Sequence, residues 1–185
     1  MARISLEPPV TAIYRLTRWY SRRTYGAVLD PGAAMAHNPR VLRAYLRFER
    51  GVAGWDRLDP TLAAIAQLAA AARIGCSWCV DFGVWESTRK GIDPVKLRNV
   101  PAWRESDVYT ELERLVLAYA EAASADPVAV TDEMVAGLRA ALDDAQLVEL
   151  TMLVAVENTR SRFNGALGLT SQGFRDRCEL PAATS

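Results

Sequence analysis

Apolar residues recur along this chain every three to four positions, and no stretch shows the strict alternation of a half-buried strand. From about Val10 to Tyr25, Ile13, Leu16, Thr17 and Tyr20 form one stripe with Arg15, Arg18, Arg22 and Arg23 around it. A Pro/Gly loop then leads through Ala33-Ala34-Met35-Ala36-His37, and Pro39 opens a second amphipathic helix carrying Val41, Leu42, Tyr45, Leu46 and Phe48. Asp59 is placed to cap a third helix with Pro60 at its first position. That helix, Thr61 to Ile74, is apolar on almost every side except at Gln67 and Arg73, which predicts burial in a core or at a subunit contact.

Gly75 reads as a helix-ending residue, and Cys76 to Lys90 as a new helix that stops before Gly91. Asp93-Pro94 starts a short helix ending near Val100-Pro101. The next, about Asp107 to Ser124, has Thr110 and Glu113 at capping-box spacing and Leu112, Leu115, Val116 and Tyr119 on one face. Thr131 caps a helix running to Leu142, and Asp143 with Gln146 caps a long closing helix that reaches Leu167 before Gly168. The residues after Thr170 read as an arm without a core of its own. The pattern predicts an all-α fold.

A chain of 185 residues, half hydrophobic and a quarter charged, fits one soluble globular domain. Basic and acidic residues are equal at 22 each, so the overall balance argues for neither nucleic acid nor membrane as a partner. The first residues lack the apolar centre of a signal peptide and no run approaches membrane-spanning length, so a reducing cytoplasm is the expected location.

In that compartment the pair Cys76-Ser-Trp-Cys79 is better suited to catalysis or metal binding than to a structural disulfide. A zinc site needs about four ligands, and beyond the pair only Cys178 and the single His37 remain, neither at the spacing of a second half-site. No metal or other cofactor is expected. A thioredoxin fold needs βαβ units, which the pattern lacks. A dithiol site on a helical scaffold or two ordinary buried thiols remain; in the first reading Cys76 lies in the first turn of its helix, where unpaired N–H groups and the helix dipole favour a thiolate.

Several residues are candidates to serve the dithiol. Glu86 lies two turns beyond Cys79 on the same face, with Gly83 between them, so it can act as a base through a water, or simply be a solvated surface residue. Asp81 falls on roughly the opposite face. His37, the chain's one imidazole, suits general-base work, although His-Asn-Pro also reads as a plain loop-to-helix junction. Glu157 begins a polar run on an apolar helix and needs a partner, for which Arg73, Arg160 and Arg162 are available; a structural ion pair is the simpler reading. Trp78, Phe82 and Trp85 either line an apolar approach or belong to the core, and Cys178 reads as a spare thiol.

The segment Leu58-Asp59-Pro60, the apolar helix, and Ala72-Arg73-Ile74-Gly75-Cys76-Ser77-Trp78-Cys79-Val80 together resemble the core motif of the carboxymuconolactone decarboxylase superfamily, in its alkylhydroperoxidase D-like (AhpD-like) branch. Ala36-His37-Asn38-Pro39 is similar to that family's upstream helix start, and Glu157 to Gly168 to its closing helix. The resemblance implies a single-domain helical bundle over residues 31–168, with 1–30 as an N-terminal helical extension and 169–185 as a C-terminal arm. It also implies a homo-oligomer (dimer, trimer or hexamer) and reduction of a small organic hydroperoxide at the expense of a thiol reductant. Cys79 would attack the peroxide and Cys76 would resolve it. The redox branch keeps a His four residues after the second Cys and a Glu twelve residues before the first, and here those positions are Gly83 and Ala64. Glu86 and His37 are then the candidate stand-ins. A lactone decarboxylase, or a non-catalytic oligomer that has lost its site, are the alternatives.

Overall fold

The computed structural model describes residues 2–177. These residues are helical with no strand among them: α1 (Ala12–Tyr25), α2 (Asp30–Met35), α3 (Pro39–Val52), α4 (Pro60–Ile74), α5 (Ser77–Arg89), α6 (Pro94–Asn99), α7 (Glu111–Ala123), α8 (Asp132–Arg139) and α9 (Asp144–Leu167). Short 3-10 turns at Val100–Glu105 and Arg175–Arg177 complete them. No helix among them is long and apolar enough to cross a membrane.

The chain forms two compact units, Met1–Trp55 with Ala166–Leu169, and Asp56–Gly165 with the segment from Thr170 onward. In the first, Thr11 and Asn38 cap α1 and α3 through their side-chain oxygens, and Gly26 ends α1 at a φ of 73° that favours glycine. The expected loop before Pro39 contains a helix instead. Asp30 and Pro31 occupy the first turn of α2, where a carboxylate meets the helix dipole and proline's missing N–H costs nothing. Arg3 donates its backbone N–H to the carbonyl of Leu167 and its guanidinium to that of Ala166. This unit holds nine of the chain's 22 basic residues and three of its 22 acidic ones, so an even total conceals a segregation of charge. Leu16, Trp19 and Tyr20 on α1, and Val41, Leu46 and Phe48 on α3, are exposed.

The second unit is built around α4. Eight of its residues, from Leu62 to Ala71, are buried, as its nearly all-apolar surface requires, and it packs against α5 and α7. Glu149 of α9 caps the approach to α4 by accepting the backbone N–H groups of Arg57 and Leu58 at 3.0 and 3.1 Å. The capping box of Thr110 and Glu113 forms as its spacing predicts, although α7 begins at Glu111 rather than near Asp107. Glu113 has a second partner: its Oε1 is 2.5 Å from Lys96 Nζ, which ties α6 to α7. The segment from Thr170 to Arg177, for which no fold of its own was expected, is held against α5 by specific contacts described below.

Candidate active site

The site begins where α4 ends. Gly75, at a φ of 83°, lets its own N–H reach the carbonyls of Ala71 and Ala72 while the N–H of Cys76 bonds to Ala71. The chain turns at once into α5, and Cys76 is the N-cap itself, one position earlier than the first-turn placement expected from sequence. Its Sγ accepts the N–H of Cys79 at 3.2 Å, as a serine hydroxyl does at an ordinary N-cap. Cys76 and Cys79 are joined in a disulfide with their Cα atoms 5.3 Å apart, and the two residues are 5% and 6% exposed.

The other side of the site comes from α9. Its inward face is apolar through Leu150, Leu153, Val154 and Val156, then turns polar at Glu157, Ser161 and Asn164. Those three are spaced four and three residues apart, which lines them along one helical face, and all are buried. Ser161 Oγ lies 3.4 Å from Cys79 Sγ and 3.2 Å from Glu157 Oε1. The other Glu157 oxygen accepts from Arg160 at 3.1 Å, and the same Arg160 nitrogen donates to Gln67 of α4 at 2.9 Å. Asn164 Nδ2 is 3.3 Å from Cys79 Sγ and 3.7 Å from Cys76 Sγ. Its Oδ1 is buried without a hydrogen-bond partner among the described residues.

The residues singled out from sequence lie as follows. Glu86 is 37% exposed at its side chain and pairs with Lys90 at 3.4 Å, one turn along α5. The gap above Gly83, through which a water was to link Glu86 to Cys79, is filled: a Cβ at Gly83 would lie 2.9 Å from Leu68 Cδ2. His37 belongs to the first unit, where its Nε2 lies 2.8 Å from the Ser5 carbonyl oxygen. Of the three arginines considered for Glu157, Arg160 makes the pair. Ser161 and Asn164 are not among the residues that sequence reasoning singles out. A polar residue every three or four positions on an apolar helix is the signal that points to them. Cys178 lies outside the described residues.

Asp81 is no free base. Only 2% exposed, it accepts the backbone N–H groups of Gln172, Phe174 and Arg175 at 2.9, 3.0 and 2.8 Å. Burial pushes its carboxyl up, but those bonds and one from the Ser171 hydroxyl outweigh it and hold the group below its ordinary range. Around this anchor Trp78 stacks on Phe82 with ring centres 5.0 Å apart, and Phe174 packs edge-on against Phe82 and beside Trp85. Trp78 Nε1 also donates to Gln172 at 2.8 Å. The aromatic residues of α5 are thus packed beneath the 170–177 strap. An open groove lined by Val80, Val84, Leu97 and Pro101 runs beside them, and neither sulfur lines it. No cluster of three or more His, Cys, Asp or Glu suited to a metal occurs among the described residues.

Residues 39–122 match the carboxymuconolactone decarboxylase family, and the chain is 33% identical over 186 residues to the uncharacterized protein YnjA of Escherichia coli (strain K12), covering 96% of this chain and 98% of that one. The chain belongs to the carboxymuconolactone decarboxylase family. Among solved structures, the debrominase Bmp8 superposes with a TM-score of 0.80 at 18% identity, over 94% of this chain and 96% of that one. The AhpD core of an uncharacterized peroxidase-related protein from Ralstonia eutropha JMP134 superposes with a TM-score of 0.82 at 16% identity, over 94% of each chain. These two share the AhpD-like helical fold with this chain. The family match contains both cysteines and positions 64 and 83, whereas Glu157, Ser161 and Asn164 fall beyond its end.

Proposed function

We propose that this family member is a thiol-dependent oxidoreductase in which the Cys76–Cys79 dithiol reduces an organic hydroperoxide. The observation that carries the reading is the buried, bonded pair with hydrogen-bond donors aimed at its sulfurs, the Cys79 N–H on Cys76 and the Asn164 carboxamide on Cys79, with the Ser161 hydroxyl 3.4 Å from Cys79. Donors around sulfur favour the thiolate, which is the nucleophilic form.

In the reduced state the Cys79 thiolate attacks the terminal oxygen of the hydroperoxide. An S–O bond forms, the O–O bond breaks, and the alkoxide takes a proton and leaves as the alcohol. Cys76, as a thiolate at the N-cap, then attacks the Cys79 sulfur and expels hydroxide, which is protonated to water. The product is the disulfide, and two electrons have passed to the peroxide. A dithiol reductant restores the pair by thiol–disulfide exchange. A lactone decarboxylase needs no cysteine pair, so the bonded sulfurs favour the redox reading.

The test is to reduce the purified protein, add one equivalent of cumene hydroperoxide, and follow each cysteine by peptide mass spectrometry alongside alcohol formation. The expected result is one Cys76–Cys79 disulfide and one alcohol per peroxide. Cys76→Ser protein should stop at a sulfenic acid on Cys79, and Cys79→Ser protein should form neither product. Both thiols remaining free in the unmodified protein overturns the reading. The same assay with a brominated pyrrole probes a different electron acceptor, since a cysteine-to-alanine variant of Bmp8 has been crystallised with 2,3,4-tribromopyrrole.

A further inference from the structure

We propose that Ser161 and Glu157 form the proton relay of Cys79, at a site where Gly83 and Ala64 offer no proton-handling group. The inference rests on the dithiol reading above and assigns its missing base.

A serine hydroxyl has one hydrogen to give and two lone pairs with which to accept. In the disulfide, Ser161 stands between a sulfur, which is a poor acceptor, and the Glu157 carboxylate, which is a good one, so its hydrogen belongs to Glu157. Reduction changes the partner on the sulfur side. Cys79 then carries an S–H that donates to Ser161 Oγ, and the three groups run in one direction, from S–H to O–H to carboxylate, over separations of 3.4 and 3.2 Å. Moving two protons one place along that line gives the Cys79 thiolate and a protonated Glu157, with no gain or loss of charge. When the alkoxide leaves, the same proton is available to it or to the following hydroxide.

The rest of the network fits the task. Arg160 pairs with the far oxygen of Glu157, is itself steadied by Gln67, and has 22% of its side chain exposed, which links a buried carboxylate to the surface. Asn164 donates to the sulfur that becomes anionic. The same Nδ2 lies 3.7 Å from Cys76 Sγ, so one carboxamide faces both sulfurs. Three buried polar side chains at helical spacing, two of them against the disulfide and the third bonded to Ser161, have no equivalent in the apolar half of α9.

The relay leaves a kinetic signature that a structural role does not. The reactive form, thiolate with protonated Glu157, has the same proton count as the resting form, thiol with carboxylate. Thiolate reactivity is therefore independent of pH between the two ionisations. Without Glu157 the thiolate arises only by loss of a proton to water, and reactivity rises tenfold per pH unit up to the ordinary thiol range near ~8.5.

The experiment uses Cys76→Ser protein and measures alkylation of Cys79 by iodoacetamide from pH 5.5 to 9.5, read by peptide mass spectrometry so that Cys178 does not contribute. A plateau is expected at low pH. Glu157→Gln in the same protein should replace it with a rising line and meet the parent near pH 9.5. Ser161→Ala should lower the plateau by about tenfold, the value of a hydrogen bond to a charged group. A parent that rises tenfold per unit throughout, or a Glu157→Gln protein that keeps the plateau, overturns the relay. Variants slow by the same factor at every pH overturn it too, in favour of a packing role. If the plateau appears while hydroperoxide leaves the unmodified protein's thiols free, the relay stands and the peroxidase reading falls.

Discussion

At the scale of single residues, Gly83 and Leu68 explain why this site differs from the AhpD-like pattern it resembles. Position 83 lies one turn beyond Cys79, where a side chain would normally have a direct line to the sulfur, and a buried leucine methyl from α4 already occupies the space. A proton-handling group placed there would have to displace that methyl. Gly83→His is expected to lower stability by about 1–3 kcal/mol, because Leu68 must leave its place in a filled core while the helix gains little from losing a glycine. Thermal melting checks this, and adding Leu68→Ala should return part of the loss by making room. An unchanged melting temperature for Gly83→His would mean that α4 and α5 are less tightly packed than described. The cysteine pair and its helix start were legible in the sequence because CxxC, a preceding glycine and the end of an apolar run are all local signals. The space above Gly83 was not, because whether a gap is open depends on a side chain fifteen residues upstream.

At the scale of elements, the strap from Thr170 to Arg177 is fixed by one carboxylate. Three backbone N–H groups that no α-helix or sheet satisfies converge on Asp81 of α5, and the Phe174 ring closes the gap beside them. The folded state holds the Asp81 carboxyl below its ordinary range, so its contribution to stability is complete at pH values above the unfolded carboxyl's value, near ~3.9, and disappears as the pH falls through the lower folded value. Chemical denaturation between pH 7 and pH 2.5 should show that acid loss in the natural protein. Asp81→Asn, with no charge to titrate, should be less stable at pH 7 by about 2–3 kcal/mol and show a shallower acid limb. Equal slopes in the two proteins would deny the clamp. Sequence periodicity put Asp81 on the opposite face of α5 from Cys79, which agrees with the separation of clamp and sulfur. It gave no hint of the strap, because acceptors for backbone N–H groups leave no pattern in the side chains that donate nothing.

For the molecule as a whole, the all-helical architecture followed from periodicity and from caps that the structure reproduces at Asp59, Thr110 and Thr131. Helices were missed or mis-ended where the cues were short, as at α2, hidden in a Pro/Gly segment, and at α8, which stops at Arg139. The even charge count was the more misleading observation: it averaged a basic first unit with an acidic remainder. The partners of Glu157 were half legible, since a carboxylate on an apolar helix demands a cation. The choice of Arg160 over Arg73 and Arg162, and the sulfur at the other end, depend on how α4, α5 and α9 meet.

Asp81 also changes what removing the C-terminal segment would mean. A tail with no α-helix of its own is usually judged dispensable, yet cutting this chain after Leu169 would take from Asp81 both the donors that hold its carboxylate and the segment that covers it. The same change at one position should therefore have different sizes in two backgrounds. Asp81→Leu is expected to weaken the full chain and to change the shortened one little, and comparing the four melting temperatures measures that difference. If Asp81→Leu weakens both lengths alike, Asp81 has a second attachment besides the strap.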